Sequence, residues 1–257
     1  MRFDIQRADF WKRISAFLFD TTALGVVILS IMTLLFTAFR YDDYARIVEQ
    51  VEKEYVEEYG IKEDITTEEF AALSEEEKEV YYACDEARKK DHRLIASYQM
   101  LSNLQFALPS VSILLGCLIT EFAVPLFFKN GQTLGKKAFG IGVIHTNGIR
   151  MRNQAHFIRS IIGKCLIELL VPFWFFMMVW GGKLHPTLGI AMMGLMLLLE
   201  IFSVFNTRAR TRSTIHDLIS DTVVVDFASQ MVFENVDELV AYKARIHAED
   251  VNRKREY

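Results

Sequence analysis

The sequence predicts an all-α membrane protein: four transmembrane helices with an extracytoplasmic helical hairpin insertion and short cytoplasmic β-like segments. Three observations predict this class. The 257 residues are 51% hydrophobic, an ordinary total, but the apolar residues are sorted into long blocks separated by blocks that are almost all charge, which soluble domains rarely show. Four blocks, Ile14–Phe39, Leu104–Phe128, Ile161–Trp180 and Leu188–Phe205, are long enough to cross a hydrocarbon core of roughly 30 Å. Lysine and arginine collect beside alternate ends of those blocks, as the retention of positive charge on the cytoplasmic side requires.

In chain order, residues 1–39 form a cytoplasmic N-terminus and the first span. Its apolar run of 26 residues far exceeds a signal-peptide core and no A-x-A-like cleavage site follows, so it is expected to stay in the mature protein. Residues 40–97 carry 18 acidic against nine basic residues and are expected outside the membrane as an acidic helical insertion. There "YARIVEQVEKEYVEEYG" stops at Gly60, Thr66 or Thr67 caps the acids of "TTEEF", and a second helix from about Ser74 is expected to run straight into span two. Such charge runs are usually solvated faces, so a spacer is favoured over a module for an extracytoplasmic protein partner. Cys84 in this segment reads as a free thiol, with an intermolecular bridge as the alternative.

Residues 98–128 form the second span, and residues 129–160 a basic connection with a β-like segment. From Lys129 to Lys164 there are seven basic residues and no acid. Residues 161–205 hold spans three and four, between which Gly181–Thr187 carries only Lys183 as a charged residue. Residues 206–257 begin with Arg208, Arg210 and Arg212 and continue into a strand and an amphipathic tail, where Asn235 and Glu238 resemble a capping box. Both termini are therefore expected in the cytoplasm, in a bacterial inner or plasma membrane. "AFGIGVIHTNGIRM" is β-like around an Asn-Gly turn and "TVVVD" is a β-branched run, so Ile141–Ile144 is expected to pair with Thr222–Val225.

Each span contains one acid: Asp20, Glu121, Glu168 and Glu200. All four lie five to seven residues in from the cytoplasmic end, roughly 8 to 11 Å at helical rise, which suggests one layer. An ionised carboxylate facing lipid costs about 3 kcal/mol near a helix centre, so these groups should face the bundle interior, water or a cation. Asp20 and Glu121 are expected to be neighbours sharing solvent or a cation, with Thr21 or Thr120 as neutral oxygen ligands. The alternative is local pairing, of Glu168 with Lys164 and of Glu200 with the arginines beyond Phe205. Arg13 is expected within reach of Asp217 or of an intramembrane acid other than Asp20. Ser112, Gly116 and Thr120 form a small-residue seam for close helix approach.

Other chemistries are disfavoured. "GQTLGKK" (Gly131–Lys137) has one residue too few for a phosphate-binding P-loop and lacks its Ser or Thr. The six histidines show no i, i+4 pair or nearby cysteine ligands, so no metal is expected. Neither a GxGD signature nor an HExxH motif is present, so the chain is read as non-enzymatic, with no cofactor and no nucleic-acid partner.

"WKRISAFLFD", "GQTLGKKAFGIGVI" and "TIHDLISDTVVVD" together resemble the three signatures of the RDD family of bacterial integral membrane proteins. The arginine and two aspartates that give the family its name map onto Arg13, Asp20 and Asp217. The resemblance covers both membrane halves and neither the acidic insertion nor the tail after Phe227. Some family members have been connected with cation/proton antiport and others with nucleoside uptake, so the resemblance implies transport without naming a solute. The expectation is a proton- or cation-coupled transporter of small solutes in the lipid bilayer, acting as a homo-oligomer because four helices make a small translocation unit. The alternative is an accessory or structural membrane subunit that presents the outer hairpin. A gapless alignment of "TLGKKAFGIGVI" from Thr133 with "TIHDLISDTVVV" from Thr214 further suggests a duplication of two-span halves.

Overall fold

The structure, a computed structural model, describes residues 5–128, 131–183, 185–205 and 214–255. Its elements are α1 (Phe10–Ala38), α2 (Tyr41–Tyr59), α3 (Thr67–Ala71), α4 (Glu75–Arg88), α5 (His92–Phe128), α6 (Leu134–Ala138), β1 (Ile141–His145), α7 (Asn153–Trp180), α8 (Pro186–Phe205), α9 (Ile215–Ile219), β2 (Thr222–Asp226) and α10 (Val236–Arg255). Among the described residues, α1, α5 and α7 are long and apolar enough to cross a membrane. The fourth apolar block forms the 20-residue helix α8. Helix α7 starts eight residues before the apolar run because Arg152 and Asn153 open it while still in the polar connection.

Two compact units emerge, Met1–Leu29 with Ser112–Tyr257, and Ser30–Val111. The second has its own small core of Val48, Val51 and Leu94, packed by Tyr55 and Leu101. Helix α2 ends where Gly60 turns left-handed at φ 63°, which a residue without Cβ adopts at no steric cost. Thr66 with Glu69 and Ser74 with Glu77 form reciprocal capping boxes on α3 and α4. The continuous helix expected from Ser74 is broken: α4 stops at Arg88, and Asp91 restarts the chain as α5 by accepting the Arg93 backbone N–H at 2.7 Å. Cys84 is 1% exposed, which removes it from any intermolecular bridge.

In the first unit, β1 and β2 pair antiparallel as expected, Ile141 opposite Asp226 through His145 opposite Thr222. The Asn-Gly turn brings Ile149 and Arg150 back beside β1, with Gly148 at φ 89°. A further edge comes from the N-terminus, where Ala8 N–H donates to the Val224 carbonyl and Asp226 N–H to the Gln6 carbonyl. One face of the sheet packs Ile141, Val143 and Val224 on Ala8 and Ala16, while the other buries Ile144, Val223 and Val225 with Ile5 and Val232. Val143 lies opposite Val224, and these two residues are equivalent in the alignment from Thr133 and Thr214. An antiparallel pair centred on equivalent residues has a local twofold axis between them, perpendicular to the sheet.

Helix α10 packs Leu239 and Tyr242 on Ile149 and Phe233. Its start is capped by Asn235, whose side chain accepts the Glu238 N–H at 2.9 Å. The small-residue seam packs closely: a Cβ on Gly116 would lie 2.6 Å from Ile28 of α1.

Candidate functional site

On α1 the buried residues are Ala16, Asp20 and Leu24, one every four positions, so the helix offers the protein a single narrow stripe. Asp20 is 6% exposed, and its partners come from α6. The Thr133 hydroxyl donates to Oδ2, and the Gly135 backbone N–H donates to Oδ1 at 2.7 Å. The carboxylate thus occupies the first turn of α6, where unpaired N–H groups and the helix dipole favour an anion. "GQTLGKK" cradles a side-chain carboxylate. Gly135 is required there, because an added Cβ would overlap the Ala16 carbonyl oxygen and stand 3.0 Å from the Asp20 carboxylate.

Glu168 of α7 repeats the arrangement on α9. It accepts the His216 backbone N–H at 3.0 Å, and the His216 ring Nδ1 lies 2.8 Å away. His216 and Gly135 each stand two residues after the threonines that align, Thr214 and Thr133. The close approach again uses a glycine, now on the long helix, since a Cβ on Gly163 would be 2.7 Å from the His216 Cβ.

Asp217 makes a buried ion pair with Arg159, Nε to Oδ1 at 2.8 Å, the two side chains 1% and 3% exposed. The Thr214 and Thr222 hydroxyls also donate to this carboxylate, at 3.0 and 3.1 Å. Burial by itself would raise the Asp217 pKa, but Arg159 and then His216 outweigh it and hold the carboxyl well below its usual range. His216 is held well below its ordinary 6.5, by burial first and then by Arg159, so its imidazole is neutral. Arg13, at the start of α1, is electrostatically coupled to Asp217.

Glu121 of α5 is 2% exposed. Its Oε1 accepts from Lys164 Nζ, whereas Oε2 has no hydrogen-bond partner. Two further buried atoms nearby lack partners, Ser160 Oγ and His156 Nδ1. His156, Ser160 and Lys164 stand four residues apart on the face of α7 turned to α5: His156 Nε2 donates to the Phe122 carbonyl at 3.3 Å and its ring stacks on Phe122, while Lys164 reaches Glu121. Lys137 turns out to lie over the Phe128 ring. Lys136 turns inward, and among the described residues its ammonium has no hydrogen bond or ion pair. Burial, then Arg159, pull its pKa down to about 8, with Glu121 opposing.

Both acid-bearing stretches are π-helical, Leu118–Ala123 with Thr120 and Glu121, and Ile158–Leu170 with Arg159, Lys164 and Glu168. Val124 and Val171 each bond a carbonyl five residues back, and each precedes a proline. Pro125 and Pro172 lack an N–H for the carbonyl four residues before them, which belongs to Glu121 and Glu168, and the turn widens. The shared "E-x-x-V-P" of "EFAVP" and "ELLVP" is a sequence signal for these sites that span-level reading misses.

Of the residues expected to share a cation or solvent, Asp20 and Glu121 each have their own protein donors. Thr21, about 100° round the helix from Asp20, is exposed, and the Thr120 hydroxyl donates to the Gly116 carbonyl at 2.9 Å. Lys164 reaches across to Glu121, while Glu168 is held by His216. The side chain of Glu200 and the arginines 208, 210 and 212 lie outside the described residues.

Comparison with the curated proteins and with the solved structures gave no match. The profile of the RDD family matches residues 7–221, a stretch that includes Arg13, Asp20 with Thr133 and Gly135, and Asp217 with Arg159, and the chain therefore belongs to the RDD family of membrane proteins.

Proposed function

We propose that this chain is a four-span transporter of small solutes in a bacterial inner or plasma membrane, both termini cytoplasmic, driven by protons or cations and working as a homo-oligomer. One observation carries the reading. Glu121 keeps one buried carboxylate oxygen without a donor, in the electrostatic reach of the Lys136 ammonium. An unsatisfied buried polar atom costs about 1–3 kcal/mol, so structural pairing alone does not account for Glu121 Oε2, whereas an intramembrane acid that takes up a proton or cation leaves an oxygen open to it. α1, α5, α7 and α8 are the four spans of this reading, and the solute is a small polar molecule or a cation. The role is non-enzymatic.

The test is flux into proteoliposomes under imposed proton and sodium gradients, against a panel of small polar solutes and cations. Gradient-driven uptake that Glu121→Gln abolishes is expected, and absence of flux under every gradient overturns the reading. The second reading, an accessory subunit, is favoured by the fixed Arg159–Asp217 pair and by the separate core of Ser30–Val111. It expects a stable partner bound to that unit and no flux.

A further inference from the structure

The unpaired atoms in the first unit fall in one place. Ser160 Oγ lies on the α7 face between His156, whose Nε2 holds the Phe122 carbonyl, and Lys164, which holds Glu121 Oε1. Glu121 Oε2, Ser160 Oγ and His156 Nδ1 therefore converge on the crossing of α5 and α7, each buried and each lacking a partner. Because a carbonyl can only accept, His156 carries its proton on Nε2 and presents Nδ1 as an acceptor. Lys136 comes to the same region from α6. Acceptors and amphoteric groups beside an ammonium are the kind that buried water satisfies, at two to four hydrogen bonds per molecule.

The charge balance then selects the ion. Among the described residues this layer holds Asp20, Glu121, Glu168 and Asp217 against Arg13, Lys136, Arg159 and Lys164, with His216 neutral. The groups around Lys136 are Asp20 from α1, Glu121 from α5, His156, Arg159 and Lys164 from α7, and His216 and Asp217 from α9. A metal cation at Glu121 Oε2 would add a positive charge beside Lys136, Lys164 and Arg159 in a low-dielectric layer, where repulsion is strong. A proton can move there without changing the net charge.

We infer that the ion handled at this site is the proton, carried between Lys136 Nζ and Glu121 Oε2 by bound water that Ser160 and His156 hold. In the transfer one N–H bond of the ammonium breaks and one O–H bond forms on the carboxylate, leaving a neutral amine and a neutral acid; the amine then takes its next proton from solution, so the pair as a whole gains a proton as pH falls. The inference rests on the transport reading for its purpose and on the unpaired atoms for its location.

The experiment is a pH titration of the full chain in lipid bilayers, followed by infrared difference spectroscopy of the protonated carboxyl band, with sodium varied at constant ionic strength. A band that Glu121→Gln removes, with a midpoint that Lys136→Met moves by about one pH unit, a tenfold change in proton affinity, is expected. Ser160→Ala discriminates further, because its hydroxyl bonds no protein group. Without held water the substitution is silent, whereas with it the midpoint moves and proton exchange slows. A Glu121→Gln spectrum identical to the wild type, a Ser160→Ala titration superimposable on it, or a midpoint that follows sodium overturns the inference. Flux driven by sodium without a titrating pair sinks this inference and leaves transport standing. A titrating pair without flux sinks transport and leaves the site.

Discussion

At Asp20 the cost of placing a carboxylate in an apolar helix is offset by donors that belong to another element. Both oxygens are engaged by α6, through Thr133 and Gly135, so Asp20→Asn, which keeps the shape and removes the charge, is expected to destabilise the chain by about 1.5–3 kcal/mol, the value of a hydrogen bond to a charged group. Gly135→Ala should be worse, because its Cβ has no space against the Ala16 carbonyl. Thermal unfolding of both variants in lipid checks the order. A pH prediction follows from the groups outside the spans. Lys136 releases its proton near pH 8 in the folded chain and near 10.5 when unfolded. Between those values the unfolded state binds more protons, so stability rises with pH, by an increment that Lys136→Met removes. His216 works at the acid side: its folded value lies well below 6.5, and stability falls as pH drops through 6.5 and the unfolded imidazole protonates first. An unfolding midpoint that is flat over both windows contradicts these assignments. The acids themselves were legible in the sequence as charges too costly for lipid, but their partners were not. A cap supplied by a helix 113 residues away leaves no local pattern, and Lys164 had an equally spaced acid on its own helix to mislead the reading.

Among the elements, the strands were legible because a β-branched run and an Asn-Gly turn are local signals, and their register was open to prediction because each run is too short to be stable alone. The register carries more than pairing. With Val143 opposite Val224, and with Asp20 and Glu168 accepting N–H groups at aligned positions, each half contributes a span acid, a short capped helix and a strand in the same order. Cysteines placed at both Val143 and Val224 should form a disulfide under mild oxidation, since directly opposite residues have Cα atoms about 4.5–5.5 Å apart. Cysteines at Ile141 and Thr222, which are aligned in sequence but not opposite in the sheet, should not. Gel mobility without reductant distinguishes the two. The third edge, from Gln6 to Ala8, was not legible because three residues carry no period, and the π-helical turns were signalled only by the prolines of the two E-x-x-V-P segments, which a reading by hydrophobic length passes over. Gly142→Val tests the edge of this packing: its side chain would occupy the ring of Phe227 and should melt the sheet.

For the whole molecule, the division into Met1–Leu29 with Ser112–Tyr257 and Ser30–Val111 separates the charged layer from the acidic insertion. Replacing residues 41–91 by a short flexible linker should therefore leave the Arg159–Asp217 and Lys164–Glu121 pairs intact, read as an unchanged pH profile of unfolding. A loss of that profile would tie the insertion to the layer. The order in which the chain is made adds a consequence of the Asp20 cap. At about 5–20 residues per second of synthesis, Asp20 joins the chain roughly 6 to 23 seconds before Thr133, 113 residues later. During that interval its carboxylate has no donor, and the nascent span waits as an acid without its cap. Insertion and assembly are therefore separate events for this helix, and a chain arrested before Thr133 presents quality-control proteases with an unfinished span that the completed chain conceals.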